Sequence, residues 1–148
     1  MIGIALSNRQ RSVALDMPWL RAFAKIALGE CLKHPAHAGT VLALLENVDV
    51  AIVSDKVIAD VHWQFMQIEG PTDVITFDHG EIVISAQTAM ENAAKYGKPV
   101  DHETGLYVIH ALLHLNGYED KTAAEARRMH KLQNQILDAC LKSKDSSS

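Results

Sequence analysis

Two histidines four residues apart form the pair in this sequence best suited to metal chemistry. His110 and His114 lie in the largely apolar stretch VIHALLHLNGYEDKT, residues 108–122. If that stretch is helical, residues four apart project from one face about one turn apart, so both imidazoles can bind one ion at about 2.0 to 2.1 Å. The alternative is a histidine pair that is simply packed and hydrogen-bonded in a core helix.

A glycine and an acid that follow the pair favour the metal site. Gly117 permits the left-handed backbone with which many helices end, and Asp120 follows where the returning chain can supply a third ligand. Glu119 is the rival for that place. Three protein ligands with an open fourth position are typical of catalytic zinc, because the bound water there has a pKa of about 7. We therefore predict a hydrolase whose catalytic residues, His110, His114 and Asp120 or its rival Glu119, hold one Zn²⁺ ion.

The rest of the chain predicts elements in the order β, α, β, α, β, β, α, α, α. Three polar residues, Asp16, Ser54 and Ser85, are predicted to cap helix N-termini. The predicted strands are residues 1–7, 48–53, 73–77 and 81–85, and the predicted helices are residues 17–33, 55–65, 86–96, 102–116 and 122–142. Residues 41–47 fit helix and strand equally well.

This order predicts an α/β (α+β) fold. We expect a single domain with a mixed sheet of about four strands, packed with about four to five helices, and the metal site on a central helix. Residues 1–142 are assigned to this metallohydrolase domain. The polar tail SKDSSS, residues 143–148, is predicted to be disordered.

Composition and charge exclude several classes of protein. Hydrophobic residues make up 48% of the chain and charged residues 22%, which is typical of a globular protein and not of a disordered one. No apolar run reaches the roughly 18 residues that cross a bilayer, and the N-terminal order of apolar and basic residues is the reverse of a signal peptide. Cys31 and Cys140 form no CxxC motif. We expect a cytoplasmic protein with reduced thiols and no membrane association.

The net charge of −4 gives no general attraction for nucleic acid, so an RNA ligand would need a local basic patch. The last predicted helix and the turn before it carry such a cluster: Lys121, Arg127, Arg128 and Lys131. The alternative is an ordinary solvated helix face.

The histidine stretch resembles the signature of the YbeY-type bacterial metalloendoribonucleases, HGxLHLxGYDH, which appears here as HALLHLNGYED. A second block of that family, TDVLSF followed by GDIVIS, is similar to TDVITF at residues 72–77 and GEIVIS at residues 80–85. The resemblance covers most of the chain. It implies a metal-dependent endoribonuclease for single-stranded RNA that acts in 16S ribosomal RNA maturation and ribosome quality control, with RNA and the ribosome as partners.

Three residues depart from the family pattern. Asp120 stands at the position of the family's third histidine, so the resemblance implies His110, His114 and Asp120, and not Glu119, as the metal ligands. The carboxylate keeps the ligand count but makes the site more negative, so its bound water should be less acidic. Met66 stands where the family has an arginine that is expected to help bind the phosphodiester. Ala111 replaces a glycine, a change that a helix tolerates.

These departures keep two other functions open. The chain could be a catalytically weakened or inactive ribosome-associated factor that binds RNA without cutting it. It could also be a metallohydrolase that acts on another bond, such as a peptide. The peptide reading is the weakest, because Ala111 occupies the place of the glutamate that serves as general base in the HExxH arrangement.

Overall fold

The computed structural model describes the backbone of residues 2–146 and the side chains of residues 2–143. Within those residues, one four-stranded sheet packs with six helices. The strands are β1 (Gly3–Asn8), β2 (Asn47–Val53), β3 (Val74–Thr76) and β4 (Glu81–Ser85). The helices are α1 (Met17–Leu32), α2 (Val41–Leu44), α3 (Asp55–Met66), α4 (Ala86–Lys95), α5 (Val100–Leu115) and α6 (Ala123–Ser146).

The sheet is mixed, as predicted, with the order β1-β2-β4-β3. The pairs β1–β2 and β2–β4 are parallel, whereas β3 runs antiparallel to β4. The β3–β4 connection is a tight turn closed by Gly80, whose φ of 101° is left-handed. A Cβ atom at Gly80 would also lie 2.8 Å from the Asn47 carbonyl oxygen. This turn therefore requires glycine for two reasons, its left-handed backbone and the lack of space for a side chain.

Alternating residues of β2 direct the two faces of the sheet into two separate cores. Val50 and Ile52 belong to the large core that also contains the buried faces of α1, α5 and α6. Ala51 and Val53 face the opposite side, where they pack with Ile58 of α3 in a much smaller cluster. The sheet is therefore thickly covered on one face and only partly covered, by α3, on the other.

The three predicted N-caps are confirmed by hydrogen bonds. Asp16, Ser54 and Ser85 each accept a hydrogen bond from the backbone N–H three residues later, at 3.1, 3.3 and 3.1 Å. Each bond satisfies one of the N–H groups that a helix leaves unpaired at its start. Local sequence chemistry thus sets where α1, α3 and α4 begin.

Three details differ from the sequence prediction. The ambiguous residues 41–47 contain the short helix α2, which buries Leu42 and brings the helix count to six. Helix α5 begins two residues early, at Val100 after Pro99, and α6 continues through Ser146 instead of ending at residue 142. Four residues of the predicted disordered tail, 143–146, are therefore helical, and residues 147 and 148 lie outside the described residues.

Both cysteines lie in the large core as free thiols. Burial raises the pKa of the Cys140 thiol to about 12, and the charge of Glu30 acts in the same direction. In the described part of the chain, no helix combines the length and the apolar character that a bilayer-spanning segment needs.

Candidate metal centre

The candidate metal centre lies at the C-terminal end of α5, the most buried helix of the protein. Ile109, Leu112 and Leu113 are fully buried there, because α5 packs against α1, α4, α6 and the sheet. His110 and His114 are exceptions on this helix, each with 29% of its side chain exposed. Their rings meet edge to face with centroids 4.6 Å apart, so both imidazoles share one face, as the spacing predicted.

The end of α5 turns the chain back toward these histidines. Gly117 has a φ of 96°, its N–H donates to the His114 carbonyl at 3.1 Å, and the Tyr118 N–H donates to the Leu113 carbonyl at 3.0 Å. This pair of bonds is the Schellman motif, which requires a left-handed residue after the helix. A side chain at Gly117 would also meet Nε2 of His37 at 2.8 Å.

Two hydrogen bonds fix the orientation of the imidazoles. Nδ1 of His114 lies 3.0 Å from the Tyr118 carbonyl, and Nδ1 of His110 lies 2.8 Å from Oε1 of Gln133, a residue of α6 that is only 8% exposed. Both partners are oxygen atoms that accept, so each Nδ1 carries the proton. Each Nε2 is then left with a free lone pair, which is the form in which histidine binds a metal ion.

The two free Nε2 atoms face each other at 3.0 Å. Two lone pairs at that distance repel unless a cation lies between them. Two nitrogens that bind one tetrahedral ion at about 2.0 to 2.1 Å stand roughly 3.3 Å apart, which is close to the separation found here. A shared proton is the alternative cation, and burial disfavours it by lowering the pKa of His110, although the hydrogen bond to Gln133 acts in the opposite direction.

Asp120 completes the donor set. Its Oδ2 lies 3.9 Å from Nε2 of His110 and 3.8 Å from Nε2 of His114. The three donor atoms all fall within 4.8 Å of one another, and the Asp120 side chain is 49% exposed. Two imidazole nitrogens and one carboxylate oxygen, with one side open, fit a tetrahedral ion that keeps a position for water or substrate.

The donors open into a cavity of about 440 Å³. The wall opposite α5 consists of the C-terminal half of α3 and the strand β3 with the residues around it. Met66 lies in this wall. It occupies the sequence position at which the family resemblance predicts an arginine. Among the described residues that line the cavity there is no lysine or arginine.

Two acids near the donors behave differently from Asp120. Glu119 lines the cavity but forms an ion pair with Lys121 at 3.4 Å, and it is not part of the three-residue donor group. Asp73 accepts a hydrogen bond from the Val74 N–H at 2.8 Å and also lines the cavity. The geometry therefore favours Asp120 over Glu119 as the third donor.

Sequence reasoning missed three residues of this site. Gln133 and Tyr118 hold the imidazoles through contacts that only the folded chain creates. His62 lines the α3 wall, and its Nδ1 lies 3.0 Å from the Gly70 carbonyl, so the Nε2 of its neutral ring can accept a hydrogen bond. One signal in the sequence could have identified His62. It precedes Met66 by four residues, and residues four apart lie on the same face of a helix.

Comparison with known proteins connects this site to one family. Residues 5–141 match the family model described as Endoribonuclease YbeY. An endoribonuclease YbeY of Rhodococcus opacus is 33% identical over 156 residues, covering 93% of this chain and 81% of the relative. The endoribonuclease YbeY of Mycolicibacterium smegmatis is 28% identical and covers 93% and 82%.

A solved structure shares the fold. The solution structure of a Thermotoga maritima protein matches with a TM-score of 0.67 at 24% identity, over 99% of this chain and 93% of that one. The likeness extends over nearly the whole of both chains. The predicted fold class is confirmed by this match and by the observed mixed sheet.

Proposed function

The chain belongs to the endoribonuclease YbeY family, and from this membership we propose that it is a metal-dependent endoribonuclease that cleaves single-stranded RNA. The observation that carries the metal dependence is the 3.0 Å separation of the Nε2 atoms of His110 and His114, whose Nδ1 atoms both face oxygen acceptors, with the Asp120 carboxylate beside them. We treat residues 1–142 as the catalytic unit.

His110, His114 and Asp120 would hold the ion, which we propose to be one Zn²⁺, because two imidazoles and a carboxylate are common zinc ligands. When bound, such an ion polarises a phosphoryl oxygen and makes water a better nucleophile at neutral pH. The chain contributes the geometry. Gln133 and the Tyr118 carbonyl orient the two rings, and the Schellman turn at Gly117 returns Asp120 to them.

We propose that two further side chains contact the RNA. His62 on the α3 wall presents an Nε2 that can accept a hydrogen bond from a ribose hydroxyl, a group that DNA lacks. Arg128 of the basic cluster has its guanidinium 5.2 Å from the centre of the Tyr118 ring, beside the loop that orients His114. Arg128 does not line the cavity, so the phosphate that it would bind belongs to a part of the strand that extends beyond the cavity.

The family also supports a cellular role. We propose that the substrate is 16S ribosomal RNA in its maturation, that the enzyme acts on the ribosome in quality control, and that it works in the cytoplasm where ribosomes are assembled. Direct evidence would come from the termini of ribosomal RNA in cells that lack the protein.

The test of the metal assignment is the variant His114→Ala, with elemental analysis and a cleavage assay on single-stranded RNA. The wild-type protein should bind about one Zn²⁺ and the variant should lose both the ion and the activity. The matched control is His130→Ala, which removes an exposed histidine of α6 bonded to Asn134. A full complement of zinc in His114→Ala would rule out the proposed ligand set.

A second candidate function is RNA binding without cleavage. It is favoured by one observation, namely that the described lining of the cavity carries no lysine or arginine and has Met66 where the family has arginine. Binding and cleavage of the same RNA should be measured in the presence of added Zn²⁺. Tight binding with no product would favour this candidate over the nuclease.

A further inference from the structure

A second cavity, of about 590 Å³, opens on the sparsely covered face of the sheet. Its floor includes small residues of the two parallel strands β1 and β2, namely Ala5, Ser7 and Ala51. One wall is the apolar side of α3. We call this cavity the sheet groove. Since the floor residues are small and α3 covers only part of the sheet, the groove remains open to solvent.

Three rings line up along one side of the sheet groove. Phe65 and Phe77 meet edge to face with ring centres 5.2 Å apart, and Phe77 stacks with His79 at 5.5 Å and an interplanar angle of 23°. Two of the three are open to a ligand, because Phe65 is 58% exposed and the His79 side chain is 64% exposed. Exposed rings in such an array offer a surface on which nucleobases stack.

The sheet groove adjoins the metal cavity. Met66 lines the metal cavity and its neighbour Phe65 lines the groove. In the same way, Thr76 and Asp78 line the metal cavity, whereas the residues that follow them, Phe77 and His79, line the groove. The two cavities are therefore separated by the same short segments, the end of α3 and the β3–β4 hairpin, and a strand that leaves the metal centre past these segments reaches the groove.

The charges in the groove select bases over phosphates. Arg9 lines the groove, but so do Asp49 and Glu81, which are paired neighbours in the β2–β4 register. Carboxylates repel a phosphate but accept hydrogen bonds from the amino groups of cytosine, adenine or guanine. An RNA strand therefore fits with its bases in the groove and its phosphates toward the solvent.

We propose that the sheet groove is a base-stacking subsite for unpaired nucleotides on one side of the phosphodiester held at the metal centre. The proposal rests on the endoribonuclease function proposed above and identifies the part of the substrate that gives it affinity. It requires the enzyme to favour longer single strands over a dinucleotide, and adenine, cytosine or guanine over uracil at the positions that reach the groove.

The test compares Phe65→Ala with the matched control Trp63→Ala. Trp63 lies two residues away on the same helix and is 54% exposed, but it lines neither cavity. Cleavage of a dinucleotide and of longer single-stranded oligoadenylate should be measured for both variants, with circular dichroism to verify folding. Loss of one stacked base should lower kcat/KM for the longer substrate about tenfold and leave the dinucleotide unchanged, whereas Trp63→Ala should change neither.

Two more arms locate the effect. If Phe65→Ala proves unstable, His79→Ala provides a second test. His79 lies at the exposed end of the array, and its loss should also reduce the preference for longer substrates. An abasic nucleotide at the groove position should weaken cleavage by wild type about as much as Phe65→Ala does, and the two changes together should add little, since both remove the same stack.

The outcomes separate the two proposals. If RNA is cleaved and neither Phe65→Ala nor His79→Ala alters the length preference, the groove proposal is wrong and the nuclease stands. If wild type loaded with Zn²⁺ neither binds nor cleaves any single-stranded RNA, the function is wrong and the groove proposal falls with it. If Phe65→Ala changes only self-association by light scattering, the groove binds a second copy of the chain instead of RNA.

Discussion

The two walls of the metal cavity are built in opposite ways. On the α5 side, His110 and His114 each have Nδ1 tied to an acceptor and lie on a helix whose other residues are largely buried. On the α3 side, Met66 lines the cavity and is 42% exposed, and its neighbour Phe65, which lines the adjoining sheet groove, is 58% exposed. One wall fixes donor atoms in place, and the other offers surface to a ligand.

This difference suggests a division of labour. A metal site needs its ligands held within a few tenths of an ångström, which burial and hydrogen bonds provide. Recognition of a flexible strand needs exposed area and tolerates looser packing. Changes on the α5 wall should therefore impair the ion and the chemistry, whereas changes on the α3 wall should alter affinity for RNA with the ion still bound.

The largest effect is expected from the third donor. Asp120→Ala should weaken zinc binding by more than about 100-fold, because even residues that only orient ligands contribute about 10- to 100-fold. Folding should survive, since the Asp120 side chain is 49% exposed. Zinc affinity by competition with a chelator measures the change. Glu119→Ala is the matched control, and a larger loss in that variant would make Glu119 the ligand.

The next effect tests how the α5 wall is held. Gln133→Leu removes the acceptor of the His110 Nδ1–H and leaves that donor unpaired, which should weaken zinc binding about 10- to 100-fold. The same change should lower the free energy of unfolding by about 1 to 3 kcal/mol. Gln133→Glu supplies a carboxylate acceptor and should restore the affinity. Equal zinc binding in all three proteins would show that the bond is not needed to orient the ring.

A smaller effect is expected on the α3 wall. Met66→Arg adds a cation to a cavity lining that has none among its described residues, so kcat/KM for RNA should rise between about threefold and tenfold. The gain should shrink as salt rises, because it comes from a phosphate contact. Met66→Leu is the uncharged control. Zinc content should not change, and a rise in zinc affinity would contradict the division between the walls.

Both walls contain features that the sequence predicts and features that it does not. Asp16, Ser54 and Ser85 act on N–H groups three residues away, and Gly117 satisfies carbonyls of its own helix, so their roles can be inferred from neighbours. The spacing of His110 and His114 sets their shared face for the same reason.

Long-range contacts are what sequence reasoning could not supply. Gln133 reaches His110 across 23 residues, and the Tyr118 hydroxyl donates to the His34 carbonyl across 84 residues. No local pattern encodes such pairs, because the packing of α6 and the α1–α2 connection around α5 creates them. The helix α2 was ambiguous for a related reason: its burial of Leu42, and not a strong periodicity, decides its structure.

The smallest effect concerns the pH response of the α5 wall without metal. Burial lowers the pKa of His110 below its ordinary value of 6.5, so in metal-free protein this ring should stay neutral to a lower pH than the same histidine in the unfolded chain. The unfolded state then binds more protons as the pH falls below 6.5, and the free energy of unfolding should decrease from that point down to the folded pKa. Urea unfolding in the presence of a chelator measures the free energy of unfolding across this pH range, and NMR titration measures the pKa of the His110 ring. His110→Gln removes the titrating group and should flatten the slope, whereas a ring that titrates above 6.5 would mean that a proton, held between the two Nε2 atoms, is the cation this wall favours.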